Sequence, residues 1–141
     1  MQQLANKSTQ MTGNNHILLD TSIVVELFTG NKIIADRISK QTEFYVPAIV
    51  LGELYTGIFS SGQESKNLKK LKDFLTIATI LEIDEQTAEY YGKIMSELRK
   101  RGKPIPTNDV WIAAMALQYE FTLIARDKHF KEIKNLILKE W

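Results

Sequence analysis

The chain has 141 residues, 44% of them hydrophobic and 25% charged, which suits one globular domain with a substantial core. Eighteen Lys and Arg against seventeen Asp and Glu leave a formal charge of +1, so bulk charge gives no reason to invoke a polyanion or a membrane; any such site has to be local. There are no cysteines, which excludes disulfides and thiolate metal sites and fits a reducing, cytoplasmic setting, and no apolar run approaches the roughly 18 residues of a membrane span.

Residues 1–15 are polar and aperiodic and are read as a flexible N-terminal lead, with one folded domain over residues 16–141. The run Ile17, Leu18, Leu19 predicts a strand buried on both faces, followed at once by Asp20, Thr21 and Ser22 and a helix over residues 21–27. Thr29, Gly30 and Asn31 stop that helix, and Ile33, Ile34, Arg37 and Ile38 give helical spacing over residues 32–40. Residues 44–46 form a second strand, ended by Pro47.

From Ala48 onward Leu51, Leu54, Tyr55, Ile58 and Phe59 share one helical face, as far as Ser60, Ser61 and Gly62. Gly52 and Gly57 interrupt this helix at about 1 kcal/mol each relative to alanine, so close packing or the approach of a ligand is expected there. A further amphipathic segment carries Leu68, Leu71, Phe74 and Leu75 inside and Lys66, Lys69, Lys70 and Lys72 outside. Residues 79–83 alternate as a strand, and Asp84 is placed to cap a helix built on Ala88, Tyr91, Ile94, Met95 and Leu98. Arg99, Lys100, Arg101 and Gly102 end it.

Pro104 and Pro106 keep the next loop extended. Residues 108–120 are apolar on nearly every side and predict a central, buried helix. A strand over 121–125, a turn or short helix over 126–130 and an edge strand over 136–138 complete the chain. Strands alternating with helices predict a three-layer α/β/α fold with a mainly parallel central sheet.

In such a sheet the strand carboxyl ends share one edge, where ligands bind. Asp20 follows the first strand and Asp127 the fourth; Glu53 lies in the helix after the second, and Asp109 opens the apolar helix. Each has a plainer reading: Asp20 as a helix cap, Glu53 as a surface glutamate, Asp109 as a complement to a helix dipole, Asp127 as a turn acid. Four acids gathered at one edge repel one another and need raised pKa values or a cation. With no cysteine and no histidine pair at ligand spacing, an all-oxygen site for Mg²⁺ or Mn²⁺ is the chemistry available, and such ions promote phosphodiester hydrolysis. With Asp20 assigned to the site, Thr21 and Ser22 are left as the caps of the first helix. His16 and His129 lack ligand spacing and are read as structural or surface residues, and Tyr90 and Trp111 as packing residues.

The segments L-L-D-T-S-I at 18–23, G-E-L-Y-T-G at 52–57, P-T-N-D-V-W-I-A-A at 106–114 and A-R-D-K-H-F at 125–130 resemble the PIN-domain ribonucleases, among them the VapC-like toxins of bacterial type II toxin-antitoxin systems. The resemblance puts Asp20, Glu53, Asp109 and Asp127 on the family's acidic positions and Thr107 on its hydroxyl position. Where the family commonly has Thr or Ser this chain has Ala125, which removes one hydroxyl beside the site. The family implies a parallel sheet sandwiched by helices, divalent-metal-dependent cleavage of RNA, a homodimer and inhibition by a cognate antitoxin. Lys103, Arg126 and Lys128 are the basic residues beside the motifs that could meet RNA phosphates. Two rival readings are a catalytically silent PIN-like module that binds RNA or protein and a receiver-type signalling domain with Asp84 as phosphoacceptor.

Overall fold

The computed structural model describes residues 16–141; the polar lead over 1–15 lies outside the described residues. Five strands form one all-parallel sheet: β1 (Ile17–Leu19), β2 (Phe44–Pro47), β3 (Thr79–Leu81), β4 (Thr122–Ile124) and β5 (Leu138–Lys139). Helices α1 (Thr21–Phe28) and α2 (Lys32–Ser39) connect β1 to β2, α3 (Ala48–Phe59) and α4 (Glu64–Leu75) connect β2 to β3, and α5 (Glu85–Lys100) and α6 (Thr107–Tyr119) connect β3 to β4. A 3₁₀ helix, Lys128–Glu132, precedes β5. Helices flank the sheet, giving the expected α/β/α layering.

The strand order is β3-β2-β1-β4-β5. The chain therefore lays down three strands in one direction, returns, and adds β4 on the free side of β1. That reversal makes the crevice beyond the carboxyl ends of β1 and β4 the place where a ligand fits. Every residue of β1, β2 and β4 is buried, which is why these strands read as continuous apolar runs rather than as alternation.

The edge strands depart from expectation. β3 stops at Leu81, two residues early, and β5 begins at Leu138, where the predicted strand ended. At an edge one flank has no strand to pair with, so exposed Glu82 and Ile83 gain nothing by continuing. Because β3 is an edge strand, Asp84 does not follow a middle strand as a receiver phosphoacceptor must. Its carboxylate caps α5, with Oδ1 accepting from the Thr87 N–H at 2.9 Å and from the Gln118 amide at 3.0 Å. The receiver reading fails on both counts.

Helix α6 is the central one: eight of its residues, from Val110 to Tyr119, are buried. It starts at Thr107, one residue before the predicted start, and Glu120 ends it in the left-handed region at φ 58°. Trp111 leaves its buried stripe to stack on Tyr91 of α5, ring centroids 3.9 Å apart, which bears out its reading as a packing residue. His16, at the opposite end of β1 from Asp20, packs against Tyr45 and Phe121 as a structural residue.

Most apolar residues of α2, α3 and α4 face the core, among them Ile34, Ile38, Val50, Leu54, Ile58, Leu71 and Phe74. Ile33, Phe59 and Ile77 remain largely exposed. A groove of about 310 Å³ between α1, α3 and α4 is lined by Val25, Phe28, Leu54, Ile58, Glu53 and Lys70. Close packing does not account for the glycines of α3, since a Cβ added at Gly52 or Gly57 meets nothing within 4 Å. They leave a bare surface.

Candidate active site

Asp20 stands where the pairing of β1 with β4 ends. Leu19 is in register with Ile124, and the Asp20 N–H donates to the Ile124 carbonyl at 3.1 Å. Its backbone is extended and occupies the N-cap position of α1, but its side chain makes no capping bond to the helix turn. Nor do Thr21 and Ser22 cap α1, because both already belong to it. The Thr21 hydroxyl instead donates to Glu53 Oε1 at 2.9 Å, and the Ser22 hydroxyl, buried, has no partner among the described residues.

Only 7% of Asp20 is exposed. Burial pushes its carboxyl up to about 6; the Thr21 N–H opposes the shift, while the charges of Asp109, Glu53 and Asp127 add to it. The carboxyl of Asp109 is raised as well, first by burial and then by Asp127, with the His129 imidazole working against the rise and Glu53 adding to it. Four acids distant in sequence therefore share one electrostatic neighbourhood at the carboxyl edge.

The geometry is tightest on the β4 side. Asp127 Oδ1 accepts the His129 N–H at 2.9 Å, a local turn that folds the imidazole back over the acids. His129 Nδ1 then lies 2.9 Å from Asp127 Oδ1 and 3.3 Å from Asp109 Oδ2. The reading of His129 as a structural or surface residue gains a specific contact: it stands against two of the acids. The only trace in the sequence is its position two residues beyond Asp127, the offset at which such a turn returns a side chain to its acid. Thr107, exposed in the first turn of α6, makes no side-chain hydrogen bond among the described residues, so it stands near Asp109 in the chain without contacting the acids. Ala125 is buried at the end of β4 and brings no hydroxyl to the site.

Arg126 is committed elsewhere. Its guanidinium donates to Glu26 Oε1 at 2.7 Å and, through Nε and Nη2, to the Trp141 carbonyl at 3.1 and 2.7 Å. Lys103 and Lys128 are exposed and form no ion pair among the described residues.

The donor set suits a divalent cation. Asp109, Asp127 and His129 each offer one atom, and these atoms lie within 4.8 Å of one another. Two carboxyls raised by burial and mutual repulsion are relieved by positive charge.

A family model for the PIN domain matches residues 17–136. The chain belongs to the PIN domain family. Within it, the chain is similar to ribonuclease VapC1 of Haemophilus influenzae, at 33% identity over 129 residues, covering 88% of this chain and 96% of that one. Ribonuclease VapC2 of Rickettsia felis is 35% identical over 107 residues, covering 75% and 80% of the two chains. A crystal structure of VapBC2 from Rickettsia felis, bound to a DNA fragment from their promoter, superposes with a TM-score of 0.82 at 32% identity, covering 89% of this chain and 98% of that one. In this PIN domain the acids sit at the reversal of strand order.

Proposed function

We propose that residues 16–141 form a single nuclease domain acting as the ribonuclease toxin of a type II toxin-antitoxin pair, a divalent-metal-dependent endoribonuclease that hydrolyses RNA phosphodiester bonds in the cytoplasm. The observation that carries this reading is the meeting of Asp20, Asp109, Glu53 and Asp127 in one field at the carboxyl edge of a PIN domain whose relatives are ribonucleases. No helix among the described residues is long and apolar enough to cross a membrane.

Asp20 and Asp109 hold the ion, Mg²⁺ or Mn²⁺, most directly; Glu53 and Asp127 complete the site, and Thr107 orients a water or a ligand at its rim. When bound, the ion supplies an acidified water and charge stabilisation for the leaving oxygen. The protein's own part is to hold both aspartates in place and largely out of water, where a bound cation would favour their ionised form. Thr21 fixes the Glu53 carboxylate, and the turn at Asp127 fixes the loop after β4. Lys103 and Lys128, both exposed, are the basic residues left to meet RNA phosphates.

The similar crystal structure is of VapBC2, and by that likeness this chain is read as pairing with a cognate antitoxin; pairing with a second copy of itself is what the family resemblance implies. The exposed Val25, Ile33 and Phe59 are apolar surface for such partners. The test of the function is cleavage of RNA in Mn²⁺ or Mg²⁺ by the purified protein and by Asp20→Asn and Asp109→Asn. Cleavage by the first and none by the variants is expected; full cleavage by both variants overturns the reading. RNA binding without cleavage favours the catalytically silent module.

A further inference from the structure

His129 Nδ1 is a buried nitrogen between two carboxylate oxygens, at 2.9 and 3.3 Å, and neither contact has the direction of a hydrogen bond. A buried nitrogen that makes no aligned hydrogen bond is uncommon, so its position calls for a cause. The spacing supplies one. Two ligands held at right angles by one ion, each about 2.1 Å from it, stand about 3 Å apart, which is the separation of this nitrogen from both oxygens.

We propose that His129 Nδ1 is a ligand, together with Asp109 and Asp127, of the ion bound at the acid site, and that this mixed nitrogen and oxygen set selects a first-row transition ion such as Mn²⁺ over Mg²⁺. The inference rests on the reading of the acids as an ion site given above and sharpens it. The ring is held for the task. Asp127 receives the His129 N–H, and the next residue, Phe130, is 1% exposed and anchors the 3₁₀ helix in the core. A neutral imidazole with its proton on Nε2 presents a lone pair at Nδ1. Imidazole nitrogen strengthens binding of transition ions far more than of Mg²⁺, which strongly prefers oxygen. An all-oxygen site, the expectation from sequence, makes no such distinction through this residue.

Pulsed electron paramagnetic resonance of Mn²⁺ bound to the intact protein tests this without reference to activity. Protein of natural isotope content and protein carrying ¹⁵N only in histidine are compared. The expected result is a nitrogen coupling that changes with the histidine label and is absent in His129→Ala. His16 cannot supply it, since it lies at the opposite end of β1, packed on Tyr45 and Phe121. In competition, His129→Ala also lowers the preference for Mn²⁺ over Mg²⁺ by about tenfold. Tight Mn²⁺ binding to the wild-type protein with no histidine coupling overturns the assignment, and this outcome does not depend on any variant folding. If Asp20→Asn and Asp109→Asn still lose Mn²⁺ in that case, the acid site stands and only His129 is removed from it. If the wild-type protein binds no Mn²⁺, or the aspartate variants bind it equally well, both readings fall.

Discussion

Thr21 gives its hydroxyl proton to Glu53 Oε1 at 2.9 Å, tying the first turn of α1 to the second turn of α3. One threonine thus orients Glu53 against the repulsion of the other acids. Thr21→Val is expected to lower RNA cleavage about tenfold while Thr21→Ser retains it, the usual scale for a group that positions a ligand. Steady-state kinetics at several Mn²⁺ concentrations check this: the loss should shrink as Mn²⁺ is raised. A loss independent of Mn²⁺ would point to simple misfolding.

Asp20 makes the metal-free protein pH-sensitive in a defined direction. Its carboxyl holds a proton up to about 6 in the fold but titrates near 3.8 when exposed. The folded state therefore carries the extra proton between those values. Its contribution is fully present below about 4, falls as pH rises, and is gone above about 6. The gap between the buried and the exposed carboxyl corresponds to roughly 3 kcal/mol as an upper figure. Asp20→Asn should match the wild-type urea midpoint at pH 4 and exceed it at pH 7 in the presence of chelator. Equal midpoints at both pH values would contradict the burial argument.

Arg126 and Lys128 flank Asp127 and are expected to behave differently. The Arg126 guanidinium is engaged by Glu26 and the Trp141 carbonyl and is partly exposed, so Arg126→Gln should cost no more than about 1 kcal/mol of stability. The salt dependence of RNA binding should stay unchanged. Lys103→Ala with Lys128→Ala should leave stability alone, raise KM several-fold and flatten the salt dependence. Urea unfolding and RNA binding at two ionic strengths separate the two sets.

The buried polar knot between α5 and α6 is structural. The hydroxyl of Thr87, wholly buried, shares its one proton between Asp84 Oδ1 and Gln118 Oε1, at 2.9 and 2.5 Å, and receives the Asp84 N–H at 3.1 Å. Thr87→Val takes the hydroxyl away from Gln118 Oε1 and from the Asp84 N–H and should destabilise by about 2 kcal/mol. Mn²⁺ affinity and cleavage by the folded fraction should not change, since the knot lies at the far end of α6 from Asp109.

What the sequence made readable follows burial. β1, β2 and β4 are buried throughout and α6 nearly so, and such elements announce themselves as apolar runs. Asp20 and Asp127 were visible because one follows a buried strand directly and the other comes three residues after one. β3 and β5 were misjudged at their ends because edge residues are half-exposed and leave little pattern. His129 and the Thr21 hydroxyl were missed for another reason. Each acts through a contact with an acid, one across a two-residue turn and one across 32 residues, and neither leaves a periodic trace. Arg126 looked like a phosphate contact because the arrival of Glu26 and Trp141 beside it is a matter of tertiary packing.

The bare glycines of α3 bear on the protein's working life. Gly52 and Gly57 weaken their helix without any packing return, and Glu53 lies between them. The helix that carries one of the acids is thus weaker than its length alone would make it. A partner resting on that face would shield the helix from opening, whereas the unpartnered chain would be the better substrate for cellular proteases. Supply of a partner would then set how long the nuclease persists as well as whether it cuts.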